Sequence, residues 1–293
     1  MTQNRKQPNI LASILNLSFV ALASAILLPD CQKIQAQSGI QVRTNQWLQV
    51  SQVTGTVTYR NLYNYANRQA KIGDRLEVVS DEISTGENSS AILTVDTAVG
   101  SIYVTENTTI KIRSFAIAPD NGRITNLFIP RGKARLQIRK FTNRGSQLNI
   151  QTPAGITGVR GTQYIVAAHP NGNTVVVTLT GSVATQAQNQ TKIVNGGFQN
   201  MIIAGQPPSS PVTIVDQPSL SYSIDKKTFG TERSILLVGS TSIFNTVKVN
   251  GVEQLIDRSG KFSLNLPATS SLNVNVKVET PQGKVQVYEI PIF

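Results

Sequence analysis

The chain has 293 residues, with 27 Lys+Arg against 16 Asp+Glu, one His and one Cys. Hydrophobic residues at 40% are enough for a packed core, which excludes a disordered chain. A lone Cys31 and a lone His169 exclude an intrachain disulfide, a cysteine zinc site and a His pair on a metal.

The chain opens on a short positive region, Arg5 and Lys6, followed by an apolar run from Ile10 to Leu28 and a small residue, Ala36. This order describes a secretory signal over residues 1–36, cleaved after Ala36. Left uncleaved, the run is near the length of a membrane span, and it is the one membrane attachment expected. Cys31 follows Asp30 where a lipid-attachment motif needs a small residue, so lipidation is not expected. Export places the protein in the periplasm or at the cell surface and makes nucleic acid an improbable partner. From Gln37 to Gly205 there are 16 Lys+Arg against 8 Asp+Glu, and from Gln206 to Phe293 there are 8 against 7. The excess charge therefore belongs to the first part.

After the signal, alternation with period two predicts strands and no amphipathic helix. Gln52 to Tyr59 reads as one strand, followed by 91–95, 102–104, 110–112, 124–129, 134–138, 148–150, 164–166 and 175–179. Asn121-Gly122, Asn171-Gly172 and Asn195-Gly196-Gly197 supply the positive φ of tight turns, and Asn171-Gly172 predicts a hairpin. Residues 206–218 hold Pro207, Pro208, Pro211 and Pro218 and read as a stiff exposed linker. Strands at 235–238, 246–249, 262–266, 272–278 and 285–290 then predict a small β-sandwich over 219–293. The fold class expected is all-β, with short strands at intervals of about ten residues.

Thr152-Pro153-Ala154-Gly155-Ile156-Thr157-Gly158-Val159-Arg160-Gly161-Thr162 resembles the signature of the FecR family, T-P-x-G-x-x-x-V-R-G-T. The strand, turn and strand that follow it, ending in Gly181-Ser182-Val183, complete the pattern, and Gly73-Asp74, Thr85-Gly86 and Ala91 to Val95 match its opening. The resemblance covers about Trp47 to Ala204, giving a FecR-type domain over 47–205. It implies an extracytoplasmic domain that is β-solenoid or sandwich-like. In the best-known members this is the envelope half of an anti-sigma regulator that receives a signal from an outer-membrane transporter. Those members carry a cytoplasmic segment before their membrane helix. Nine residues precede the apolar run here, too few to hold a sigma factor. The expected function reduces to a binding or scaffolding module for an envelope polysaccharide or protein partner. The alternative is a sensor component that docks on a membrane protein. The C-terminal part resembles bacterial Ig-like domains, through Val247-Lys248-Val249-Asn250-Gly251 and Ser259-Gly260-Lys261-Phe262.

Arg131, Lys133, Arg135, Arg139, Lys140 and Arg144 form a basic stretch without an acid. Arg131, Lys133, Arg135 and Arg139 share strand parity, opposite Ala134, Leu136 and Ile138. They predict an anion-binding surface for lipopolysaccharide phosphate or acidic polysaccharide. The competing reading is a solvated strand face whose charges discourage edge pairing. Gly155, Gly158 and Gly161 are spaced like a phosphate-cradling loop, but a strand follows where a helix is needed, so their role is structural. Arg160 reads as a clamp on loop carbonyls. Tyr59, Tyr63 and Tyr65 among Asn61, Asn64 and Asn67 read as turn packing, with sugar stacking as the alternative. His169, before Pro170, reads as a surface turn residue. No G-x-S-x-G, P-loop or H-E-x-x-H is present, so no cofactor and no catalytic group are expected. A glycan hydrolase would need paired carboxylates, and Asp81, Glu82 and Glu87 are the one local acidic group.

Overall fold

Alternating burial is the rule along this chain, and every regular element described is a strand. The computed structural model describes residues 46–61, 66–96, 99–229, 232–267 and 272–292, all within one compact unit. The predicted signal, Cys31, Tyr63, Asn64 and Tyr65 lie outside them.

In chain order the strands of the first part begin with β1 (Leu48–Thr54), β2 (Val57–Asn61), β3 (Ala66–Gln69), β4 (Arg75–Leu76), β5 (Glu82–Thr85) and β6 (Ser90–Val95). Next come β7 (Gly100–Val104), β8 (Thr109–Ile117), β9 (Arg123–Phe128), β10 (Gly132–Ile138), β11 (Gln147–Gln151) and β12 (Ile156–Val159). The series ends with β13 (Gln163–Ala168), β14 (Thr174–Thr180), β15 (Ser182–Ala187), β16 (Gln190–Asn195), β17 (Phe198–Ile202) and β18 (Val212–Thr213). They build two nine-stranded sheets, β18-β17-β14-β13-β10-β7-β6-β1-β4 and β16-β15-β12-β11-β9-β8-β5-β2-β3. The chain passes back and forth between the sheets by single strands and hairpins, so both orders broadly follow the sequence. The result is a sandwich that advances like a flattened solenoid. Pairing is antiparallel except between β9 and β11, which run parallel because β10 crosses to the other sheet between them.

Alternation explains the core. Leu48, Leu93, Ile102 and Leu136 of the first sheet meet Ile83, Ile110, Leu127 and Leu148 of the second, all essentially without exposed surface. Burying each such side chain contributes about 1.5–3 kcal/mol. The predicted strand 52–59 is two strands. Gly55 takes φ 72° and turns the chain from one sheet to the other, so Val53 and Val57 belong to different layers. The hairpin at Asn171-Gly172 joins β13 to β14 as predicted. Asn195-Gly196-Gly197 instead carries the chain between sheets.

The second part holds β19 (Ser221–Phe229), β20 (Glu232–Ser240), β21 (Thr246–Val249), β22 (Val252–Gln254), β23 (Lys261–Pro267), β24 (Leu272–Glu279) and β25 (Val285–Ile292). They form sheets β19-β20-β23 and β22-β21-β24-β25. Ile235, Leu237 and Phe262 pack against Val247, Val274, Val276 and Ile290 between them.

The two sandwiches touch. Along β13 and β14 burial is nearly continuous rather than alternating. The inner residues Tyr164, Val166 and Val176 join the main core. The outer residues Ile165, Ala167, Val175 and Val177 pack with Met201 against Ile214, Ile243 and Phe244. Ile243 and Phe244 come from the turn between β20 and β21, so the C-terminal sandwich covers this outer face. The Pro-rich segment is held from both sides. Its β18 extends the first sheet beside β17. Asp216 accepts from the Thr280 hydroxyl at 2.5 Å, and the Pro218 carbonyl accepts from Tyr288 at 3.0 Å.

Candidate anion-binding site

The basic stretch begins on β10. Ala134, Leu136 and Ile138 face the core and Arg135 is exposed, as the parity predicts. Two features differ from the expectation. β10 lies in the middle of its sheet, bonded to β7 and β13, so its charges protect no edge. Further, the stripe is divided. Lys133 is ion-paired with Glu279 of the C-terminal sandwich. Arg139 falls beyond the end of β10, where the chain leaves the sheet, and it turns with Lys140 to the end of the sandwich.

There the two residues line a cavity of about 360 Å³ with Asp96, Arg123, Phe141 and Asn143. Asp96 directly follows β6, Arg123 begins β9, and the others belong to the connection from β10 to β11. Asp96 is 4% exposed and is ion-paired with Arg123 through Oδ2, while its Oδ1 is buried with no hydrogen-bond partner among the described residues. Neither Asp96 nor Arg123 is singled out by the sequence. They stand 27 positions apart in the chain and meet only because the two sheets stack.

The connection is braced locally. Asp120 accepts the Gly145 amide at 2.7 Å and the Gly122 amide at 3.0 Å, and these bonds hold its carboxyl below the usual carboxylate range. Asn143 donates to the Asp120 carbonyl at 3.0 Å. Arg160 is exposed, and its Nη2 lies 3.5 Å from the Asn143 carbonyl. Among the described residues, no ion pair engages Arg131, Arg135, Arg139, Lys140, Arg144 or Arg160.

The signature segment runs the length of β12, with Thr152 and Gly155 at the far end of the sandwich and Gly161 and Thr162 at this one. Thr152 Oγ1 accepts the Gly155 amide at 3.3 Å, and the Thr174 hydroxyl donates to it at 2.8 Å, which ties the segment to β14. Pro153 is exposed and Val159 is in the core. Gly161 has φ 127°, and a Cβ there would stand 2.5 Å from the Cα of Lys140. Thr162 donates to the Ser182 carbonyl at 2.9 Å, and its own carbonyl accepts the Ile138 amide at 3.0 Å. The motif therefore sets the backbone on which Arg139 and Lys140 stand.

Other expected sites resolve differently. Tyr59 is buried and donates to the Arg75 carbonyl at 3.1 Å, which leaves no face for a sugar. His169 opens the β13–β14 hairpin but is not a free surface residue. Its Nδ1 lies 3.4 Å from Glu253 Oε1 of the C-terminal sandwich. Of the acidic group, Asp81 is buried on backbone amides and Glu82 is paired with Lys111 at 2.7 Å.

The family model described as FecR protein matches residues 81–184. A comparison with curated proteins finds no match. Two crystal structures of a candidate anti-sigma factor from Parabacteroides distasonis ATCC 8503 are similar to this chain, at 15% identity and a TM-score of 0.38. The likeness spans 45% of this chain and 59% of the length of that protein. With the signature segment and the two-sheet stack in place, the matched stretch, residues 81–184, is a FecR domain.

Proposed function

We propose that the chain is an exported, non-enzymatic protein of the cell envelope that binds an anionic polymer through the basic end of its FecR sandwich. One observation carries the reading: Arg139, Lys140, Arg144 and Arg160 gather at that end, with Arg135 further along β10, and none has an ion pair among the described residues. Like charges held together repel, and a polyanion relieves that repulsion. The division of acidic residues supports a binding role over catalysis, since Asp81 and Glu82 are each already engaged. Export rests on the signal over residues 1–36. The proposed organisation is a FecR-type domain over 47–205, a connecting segment over 206–218 and an Ig-like domain over 219–293. The strand order of the last, first-second-fifth against fourth-third-sixth-seventh, supports the Ig-like assignment.

A second reading is a sensor component that docks on a membrane protein, and the FecR match favours it. Co-sedimentation of the chain from Gln37 with purified envelopes across a salt series separates the two. The polyanion reading expects binding that fades with salt and is lost in Arg135→Glu/Arg139→Glu/Lys140→Glu. Salt-resistant binding that survives the substitutions overturns it in favour of the sensor.

A further inference from the structure

We infer that the cavity at the end of the FecR sandwich is a subsite for a doubly charged phosphate group, free or as a monoester. This rests on the polyanion reading and selects phosphorylated over carboxylated polymers for it. The inference turns on Arg123, which the start of β9 places at the cavity wall. Both carboxylate oxygens of Asp96 are buried, and Oδ2 pairs with Arg123 Nη1, so Asp96 acts on the cavity only through Arg123. It fixes a guanidinium whose side chain keeps 47% of its surface exposed. A guanidinium carries five N–H donors in a planar fork, so one nitrogen serves Asp96 while donors remain for an oxyanion.

Arg139 and Lys140 line the same cavity and make no ion pair among the described residues. Their backbone is held from both sides. The Ile138 and Phe141 amides donate to the Thr162 and Arg160 carbonyls at 3.0 and 3.4 Å, and the Arg139 amide between them donates to the Val99 carbonyl at 3.0 Å. Binding groups held in place beforehand lose less freedom when a ligand arrives.

Charge decides the ligand. Arg123 and Asp96 cancel, and among the described residues no other carboxylate lines the cavity, so the charges of Arg139 and Lys140 remain. A phosphate monoester carries about −1.5 to −2 at neutral pH and matches that pair of cations. A carboxylate or a phosphate diester carries a single charge and leaves one cation unmatched. The volume of about 360 Å³ falls at the lower end of small-ligand pockets, enough for the phosphate and the unit that bears it.

Calorimetric titration of the chain from Gln37, which contains the whole compact unit, tests the subsite at about pH 8, where a monoester is fully ionised. The probes are glycerol 3-phosphate, inorganic phosphate, dimethyl phosphate and glucuronate. Glycerol 3-phosphate should bind at least about tenfold more tightly than dimethyl phosphate or glucuronate. Arg123→Lys keeps a cation for Asp96 but loses the fork, and should weaken glycerol 3-phosphate about tenfold. Arg139→Gln, an exposed change that leaves the core intact, should weaken it similarly, and Arg135→Gln, outside the cavity, should leave it unchanged. Inorganic phosphate bound as tightly as glycerol 3-phosphate upholds the subsite and assigns it to the free anion. Glucuronate or dimethyl phosphate bound as tightly as glycerol 3-phosphate overturns it. So does full affinity in an Arg123→Lys protein that unfolds at the parent's temperature. No phosphate binding, with salt-sensitive envelope binding retained, overturns the subsite and leaves the polyanion reading standing. Phosphate binding without envelope binding keeps the subsite and removes the polymer.

Discussion

Asp81 is 0% exposed, and its Oδ2 accepts the amides of Glu77 and Val78, each at 3.0 Å, while Oδ1 has no partner among the described residues. Burial pushes its carboxyl above the ordinary range, against the pull of the two amides. A raised pKa in the folded state means a contribution to stability that is full below the unfolded value and is lost as pH rises through the folded value. Asp81→Asn keeps an acceptor for the two amides and removes the charge. It should therefore stabilise the protein at pH 7 by about 1 kcal/mol, with the gain disappearing below about pH 4. Thermal unfolding of both proteins across pH checks this, and a loss independent of pH would show that the carboxylate itself is required. The left-handed Asn88, Asn107, Asn121 and Asn250 make another residue-scale point. They sit where the chain turns, and asparagine tolerates that conformation better than other side chains do.

At the scale of elements, β10 and β14 show two meanings of an apolar pattern. β10 alternates because one face meets the core and the other meets solvent or a charged partner. Thr174-Val175-Val176-Val177 in β14 does not alternate because both faces are covered. The unbroken run was visible in the sequence. What covers the second face was not, because Ile243 and Phe244 lie more than 60 positions further on. Val177→Asp should place an unpaired charge in that contact at a cost of about 3–5 kcal/mol. The C-terminal sandwich should detach while the first sandwich stays folded, read as new proteolytic cleavage within residues 206–218. Arg135→Ser, on the exposed part of the same sheet face, should leave the cleavage pattern unchanged and stability within about 0.5 kcal/mol.

Across the whole molecule, charge is arranged by pairing. Among the described residues, three polar pairs bridge the sandwiches: Lys133 with Glu279, Lys248 with Glu106 at 3.0 Å, and His169 with Glu253 at 3.4 Å. The first withdraws Lys133 from the basic surface, while Arg139 and Lys140 at its far end make no ion pair among the described residues. Glu106 accepts the Asn88 amide and then the Lys248 ammonium, which together hold its carboxyl below the usual range. A lowered pKa contributes stability above the unfolded value and loses it as pH falls through the folded value, the opposite sense to Asp81. Both side chains of this pair keep more than a fifth of their surface exposed, so the effect is screened. Glu106→Gln should cost under about 1 kcal/mol at pH 7 and nothing near pH 2, measured by denaturant unfolding at both. An equal cost at both would show that packing of the side chain, not its charge, holds the contact.

The sequence by itself determined the all-β class, most strand positions, the hairpin at Asn171-Gly172 and the FecR signature, because each is written in local periodicity or turn chemistry. It also placed Ala134, Leu136 and Ile138 inward, since strand parity alone decides that. Tertiary structure decided the rest. Gly55 splits a run that alternates without a break, because a change of sheet depends on one backbone angle rather than on hydrophobic pattern. Asp96 reaches Arg123, and Lys133 reaches Glu279, across contacts between layers that no spacing in the chain encodes. Which cations remain free for a ligand is therefore settled by how the layers and sandwiches stack.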